Sequence, residues 1–528
     1  MSSFPRRISV GQLVAALSDG TELALIDGRE QGAYSESHLL FAVNAPRSRV
    51  ELRAPRLLPR RDTRVVVADA GAGEADDVAN SLTLLGWTDV AVLEGGTASW
   101  AAAGHELYSG VNVPSKLFGE LVEHHFATPH VKPAELQSWI TEGRKMVVLD
   151  SRTDREYRRM SIPTGRSCPG GELVSRVFDL IEDDTTIVVN CAGRTRSILG
   201  AQSLRNAGIK NEIVALENGT MGWELAGLEL DHDAREVAPL PTDAGRRVAA
   251  AAAAGVATRF GVSYIERVQA EAWLADTTRT TYMLDVRTPD EYEAAHIPGS
   301  ISAPGGQLVQ ATDEYVATRN SRVILIDDDC TRATMSASWL VQMGWEVVVL
   351  KDALSWGQLA RGPQRPEDGV DVPTVPTVGT EDLDGALVID VASSIDHRRA
   401  HLPGAEWAVR GRLGLVAKRF PEVSRVVITS PEGLLGALAH GEAVAAWPKA
   451  DVSVLDGGTA AWRGAGRPIE TGLMTPDSID DVWALPYDPG DAESTREAMN
   501  GYLVWEVDLV DQYERDDLVS FPLASASG

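Results

Sequence analysis

Residues Leu93–Trp100 read LEGGTASW, and the phrase returns as LENGTMGW at Leu216–Trp223, LKDALSW at Leu350–Trp356 and LDGGTAAW at Leu455–Trp462. Each tryptophan follows, at a nearly fixed distance, an apolar run that ends in aspartate: LALID at Asp27, MVVLD at Asp150, YMLD at Asp285 and ALVID at Asp390. The separations are 73, 73, 71 and 72 positions. Four copies of one spacing mean one structural unit written four times, and repeats are read first because they set the architecture.

Between those landmarks each copy carries a second apolar run, TRVVVAD, TTIVVNC, SRVILID or SRVVITS, and segments of helical character such as ELQSWITEG and SILGAQSLRNAG. Strands alternating with helices predict a small, mainly parallel sheet flanked by helices on both faces. The expected organisation is four α/β domains at residues 5–110, 127–232, 259–365 and 374–472, followed by an acidic extension at 473–528. VNVPSKLFGELVEHHFA reads as the first linker, with His124 and His125 a solvated pair. In the second, REVAPLPTDAGRRVAAAAAAGVATRF, the proline-rich start predicts extended chain and the alanine run a helical spacer. The extension holds 13 Asp or Glu against Arg496 and Arg515. Its Tyr502, Trp505, Leu509 and Tyr513 fall on one helical face, which predicts a helix docked on a repeat, a disordered acidic tail being the alternative.

With 49 basic and 76 acidic residues the net charge is −27, which repels nucleic-acid phosphates and anionic membrane surfaces. Three cysteines in 528 residues are too few for a secreted disulfide framework, so a reducing cytoplasm is expected. The N-terminus lacks a signal-peptide core and no later run is long and apolar enough for a membrane span. Histidines and cysteines never fall at metal-ligand spacing, so neither a metal nor another cofactor is expected.

The chemistry concentrates in NCAGRTRS, Asn190–Ser197, between a strand-like run and a helix-like one. A strand end, a glycine-containing loop and a helix start turn several backbone N–H groups toward whatever sits on Cys191. The helix N-terminus and the guanidinium groups of Arg194 and Arg196 are expected to lower the thiol pKa. Gly193 is expected to allow the tight turn, and small Ala192 and Thr195 to keep the mouth open.

Repeat two thereby resembles a rhodanese-homology domain: LDSRTDREY matches the N-terminal signature, CAGRTRS the active-site loop and LENGTMGWELAG the C-terminal signature. The whole chain resembles tandem four-domain bacterial sulfurtransferases of the thiosulfate sulfurtransferase type. The resemblance implies that Cys191 is the nucleophile and carries sulfur as a persulfide. It implies that Arg194 and Arg196 bind the anionic donor, thiosulfate or a low-molecular-weight persulfide, and that the N–H groups of Ala192, Gly193, Arg194, Thr195, Arg196 and Ser197 stabilise the sulfur. The acceptor would be cyanide, glutathione or another thiol, including a protein thiol. The six-residue loop Cys191–Arg196 is the length that resembles sulfurtransferases; related phosphatases and arsenate reductases place arginine one position later, where this chain has Ser197. A non-catalytic scaffold or sulfide and redox sensor is the alternative from another class.

Counting back 17 positions from the glycine after the following helix aligns the other copies. Cys191 stands before Gly208, Asp69 before Gly86 and Asp327 before Gly344, while the strand end of repeat four is Ser430. These three repeats are therefore expected to be inactive. Cys330 falls at the place of Arg194 among three aspartates that raise its pKa. Cys168 in SCPGGELV matches Ala303 in SAPGGQLV and reads as a packed small side chain, with a resolving thiol near Cys191 as the sharper alternative. Arg152 recurs as Arg29 and Arg287 two positions after the aspartate, which predicts a structural pair, and the four tryptophans are expected in cores. Repeat two departs from its neighbours at MSIPTGR, where repeat three has AHIPGS.

Overall fold

The computed structural model describes residues 5–472, 480–487 and 491–525. In repeat two the strands lie in the order His130–Val131, Ile213–Leu216, Thr186–Asn190, Met146–Asp150, Gly165–Ser167, and all neighbouring pairs are parallel. Repeats three and four repeat that order with parallel pairs throughout. The middle strand of repeat two is TIVVN, buried along its whole length, because helices cover both faces. Chain order reverses at that strand, and the crevice beyond its carboxyl end is where such sheets present ligands.

The first residue after the middle strand is Asp69, Cys191, Asp327 or Ser430. Gly86, Gly208 and Gly344, the glycines used for the alignment, all take positive φ (101°, 80° and 89°), which ends the preceding helix.

The Asp-x-Arg pair is bonded alike in three repeats. Arg152 donates from Nε to Asp150 Oδ1 (2.9 Å), from Nη2 to Oδ2 (2.7 Å), and onward to the Met160 carbonyl (2.6 Å). Arg29 and Arg287 make the same bonds to Asp27 and Asp285 and to the Ser37 and Ala295 carbonyls. Repeat four has Ala392 instead, and buried His397 Nδ1 pairs with Asp390 Oδ2 at 2.7 Å. Of the tryptophans, Trp100 and Trp223 are buried, while Trp356 and Trp462 are half-buried at core edges. At the divergent MSIPTGR turn, Thr164 takes φ +69° where Gly299 and Gly404 take +83° and +71°.

The chain forms two compact units. One comprises chiefly Leu25–Val111 and Arg365–Ala484, which pairs the first repeat with the fourth. The other comprises chiefly Asn112–Gln364 and the helix Ala492–Tyr513, so repeats two and three share a unit and a continuous core. Within this second unit the PGG motifs meet: a Cβ on Gly306 would lie 2.9 Å from the nitrogens of Gly170 and Gly171. The alanine-rich segment is a helix, Asp243–Phe260, as expected, but it is no spacer: Ala253, Val256, Ala257 and Phe260 are buried in the shared core. The first linker is likewise a packed helix, Val113–Phe126, with His124 and His125 on its exposed side. Among the described residues no helix is long and apolar enough to cross a membrane.

Candidate active site

Cys191 leaves the middle strand and Thr195–Asn206 is the helix that follows. The thiol is 2% exposed and donates to Ser197 Oγ at 3.4 Å, while that hydroxyl donates to the Arg194 carbonyl (2.8 Å). The N–H of Ser197, six residues on, also faces the sulfur and favours its ionised form.

That N–H has a counterpart in every repeat. Asp69 Oδ2 accepts from the N–H of Ala75 (3.1 Å) and of Gly73 (2.9 Å), and Oδ1 from Gly71 (2.7 Å). Asp327 accepts from Ala333 N–H (3.0 Å) and Cys330 N–H (2.5 Å), and Ser430 Oγ from Gly436 N–H (3.2 Å). Repeats one and three thus hold their own carboxylate in the amide cradle, while repeat two places sulfur there.

The arginines of the loop are occupied. Arg194 donates to both oxygens of Glu120 (2.8 and 2.7 Å), to Glu123, and to Asn218 Oδ1 (3.3 Å). Arg196 grips Glu156 through both Nη atoms (2.9 and 2.7 Å), and Glu156 closes a capping box with Thr153. In repeat three Arg332 holds Glu291 of the equivalent capping box, so this brace exists without a nucleophile. Burial pushes the Cys191 thiol up; Arg196 and Ser197 pull against that rise and Glu506 adds to it. The expected lowering by two guanidinium groups is therefore not found, because burial outweighs Arg196 and Arg194 is turned onto carboxylates. Burial also pushes Glu120 up to about 7, against the pull of Arg194.

Two further expectations change. Gly193 does not take a positive φ; a Cβ there would lie 3.0 Å from Met221 Cε and 3.1 Å from Glu506 Oε2, so the loop and the chain covering it fit closely at this residue. The mouth is covered, since Tyr487 donates to the Ala192 carbonyl (3.2 Å) and Ala192 packs against the cluster of Met221, Met499 and Leu503. The covering chain is the acidic extension, helical over Ala492–Tyr513 as expected, whose buried residues are Met499, Leu503, Glu506, Leu509 and Val510. Tyr502, Trp505 and Tyr513 of the expected face are half-buried beside them.

Glu506, Tyr502, Tyr487 and, from the linker helix, Lys116, Glu120 and Glu123 are the site residues that motif reading missed. A signal existed for Glu506: it is the acid in an otherwise apolar i, i+4, i+7, i+11 series, Met499, Leu503, Glu506, Val510.

Cys168 is fully buried in the shared core, which pushes its thiol up to about 12. Cys330, half-buried, is pushed up to about 12 by burial and by Asp327, Asp329 and Asp352, in the expected direction.

The family model described as Rhodanese-like domain matches residues 9–103, 132–226 and 267–358. A crystal structure of thiosulfate sulfurtransferase from Pseudomonas aeruginosa is 44% identical, with a TM-score of 0.93 over 98% of this chain and 100% of that one. The "Putative sulfur carrier protein YrkF" of Bacillus subtilis (strain 168) is 30% identical over 89 residues, 16% of this chain and 47% of that protein. The chain thus spans about half the length of that curated relative.

Proposed function

The chain belongs to the family of rhodanese-like domain proteins, and from that premise we propose that it is a sulfurtransferase acting through a Cys191 persulfide. The Cys191 thiolate attacks the outer sulfur of thiosulfate, or of a low-molecular-weight persulfide. A bond forms from Sγ to that sulfur, and sulfite or a thiolate leaves with the electron pair of the broken bond. A thiophilic acceptor, cyanide, glutathione or a protein thiol, then attacks the outer sulfur and regenerates the Cys191 thiolate.

One observation carries the reading. The six-on amide that binds Asp69 and Asp327 carboxylates in their repeats faces sulfur in repeat two. An amide that donates to a carboxyl oxygen in two sister loops suits the charge on a thiolate or persulfide, and preorganised amides stabilise it without reorganising during reaction. Ser197, Thr195, Gly193 and Ala192 supply this cradle. Arg194 offers its charge to the donor by exchanging partners, helped by the raised pKa of Glu120. Arg196, held by Glu156, acts on the sulfur through its field. The likeness to the Pseudomonas aeruginosa enzyme over nearly the whole chain supports thiosulfate as donor.

The test is thiocyanate formation from thiosulfate and cyanide. The parent turns over and Cys191→Ser does not; turnover by Cys191→Ser at the parent rate would overturn the assignment.

A further inference from the structure

Glu506 of the tail helix is 1% exposed yet carries a carboxyl group at the cysteine loop. Oε1 is saturated: it accepts from Tyr502 OH (2.9 Å) and Thr195 Oγ1 (3.3 Å) and lies 3.3 Å from Lys116 Nζ. Oε2 is buried with no partner. It lies 3.1 Å from where a Cβ of Gly193 would stand, two residues from Cys191, and its charge is felt at the sulfur. A buried carboxylate oxygen left without a donor is unfavourable unless something supplies a proton there.

The two classes of acceptor differ in that respect. Sulfite, already ionised near neutral pH, attacks the outer sulfur in the reverse of loading with no proton to lose, whereas a thiol must give one up. We propose that Glu506 is the general base that deprotonates a thiol acceptor at the Cys191 persulfide, which makes the protein a thiol-directed sulfur donor. The inference rests on the persulfide reading of Cys191. The acceptor S–H gives its proton to Oε2 as its sulfur bonds to the outer persulfide sulfur. The bond from that sulfur to Sγ breaks, and Cys191 leaves as thiolate. The proton on Glu506 passes to that thiolate or to solvent, so no further reactant is needed.

The charged and titratable groups around Glu506 are Tyr502 on its own helix, Lys116 and Glu120 on the linker helix, Arg194 and Cys191 in the loop, and Tyr487 in the chain before the helix. Lys116 Nζ lies 3.3 Å from Glu506 Oε1, and Glu120 and Arg194 are bonded to each other.

The experiment uses full-length protein preloaded with thiosulfate, so that only the second half-reaction is followed. Glu506→Gln is expected to lower the rate with a small thiol by about 100-fold at pH 7, within the range for general-base catalysis. The rate with sulfite falls far less, and the thiol deficit shrinks as pH passes the ordinary thiol pKa of about 8.5. Glu506→Asp, which keeps the carboxylate, restores most of the thiol rate. Equal loss with both acceptors at every pH, or no loss with either, would overturn the proposal. Should Glu506→Gln fail to fold, the parent decides. A base in the site makes its thiol rate nearly flat between about pH 6.5 and 8, whereas a rise of about tenfold per unit means solvent ionises the thiol and refutes Glu506. Failure of the parent itself to load sulfur would instead overturn the persulfide reading.

Discussion

Replacing Gly219 by alanine should damage chemistry and stability by separable amounts. Gly219 takes φ +55° and opens the helix that closes over the cysteine loop. A Cβ there would lie 2.8 Å from the Gly193 carbonyl oxygen and 2.9 Å from the Ala192 carbonyl carbon, with the Cys191 carbonyl oxygen nearer still. Ordinary carbon–oxygen contact begins at about 3.3 Å, so the loop must retreat by roughly 0.5 to 1 Å. The N–H groups of Thr220 and Met221, which hold the Cys191 and Ala192 carbonyls at 2.9 and 3.0 Å, resist that retreat. Left-handed backbone costs a non-glycine residue about 1–2 kcal/mol and overpacking about 1–3 kcal/mol, so the fold should lose about 2–5 kcal/mol. A reacting atom misplaced by about 1 Å loses on the order of 100-fold in rate, or about 2.7 kcal/mol of barrier. The assays are thermal melting and thiosulfate-to-cyanide turnover. Gly96→Ala is the control: it has the same φ, and its Cβ would press on Asp69, in a loop with no nucleophile. It should lower stability comparably and leave turnover within about twofold of the parent. Turnover of Gly219→Ala close to the parent's, or an equal activity loss in Gly96→Ala, would refute the reasoning.

Further outcomes follow from charge and backbone. Because burial raises the Cys191 thiol pKa, its loading by thiosulfate should climb about tenfold per unit between pH 6 and 8, and a plateau from pH 6 would contradict that state. Burial raises Asp327 from 3.8 to about 7. The native state then holds a proton that the unfolded chain releases, so this contribution to stability is full below 3.8 and lost as pH rises through 7. Asp327→Asn should flatten the fall in melting temperature across that window, and an unchanged slope would count against it. Thr164→Gly should stabilise repeat two by about 1 kcal/mol, since Thr164 occupies φ +69° and glycine does so freely; a destabilised variant in chemical denaturation would show the threonine repaid elsewhere.

The repeats and the nucleophile position were legible because both are local or periodic. An apolar strand, an Asp-x-Arg pair and a glycine after a helix recur at constant spacing whatever surrounds them. The pairing of repeat two with three and one with four was not legible, since the contacts that decide it join residues far apart. The PGG motifs were visible as a match, but only packing shows that Gly171 and Gly306 are glycine because two backbones touch. The arginines mislead for the same reason: a loop sequence shows the charges of Arg194 and Arg196 but not Glu120, Glu123 and Glu156 that meet them. Glu506 lies 311 positions from Thr195, its partner, on a helix whose docking was legible but whose target was not.

Intact mass after incubation with thiosulfate shows whether Cys191 alone carries sulfur. The parent should gain one sulfur atom, removed by cyanide, and Cys191→Ser, whose Cys168 and Cys330 remain, should gain none. The same gain in Cys191→Ser, or none in the parent, would contradict the assignment of Cys191.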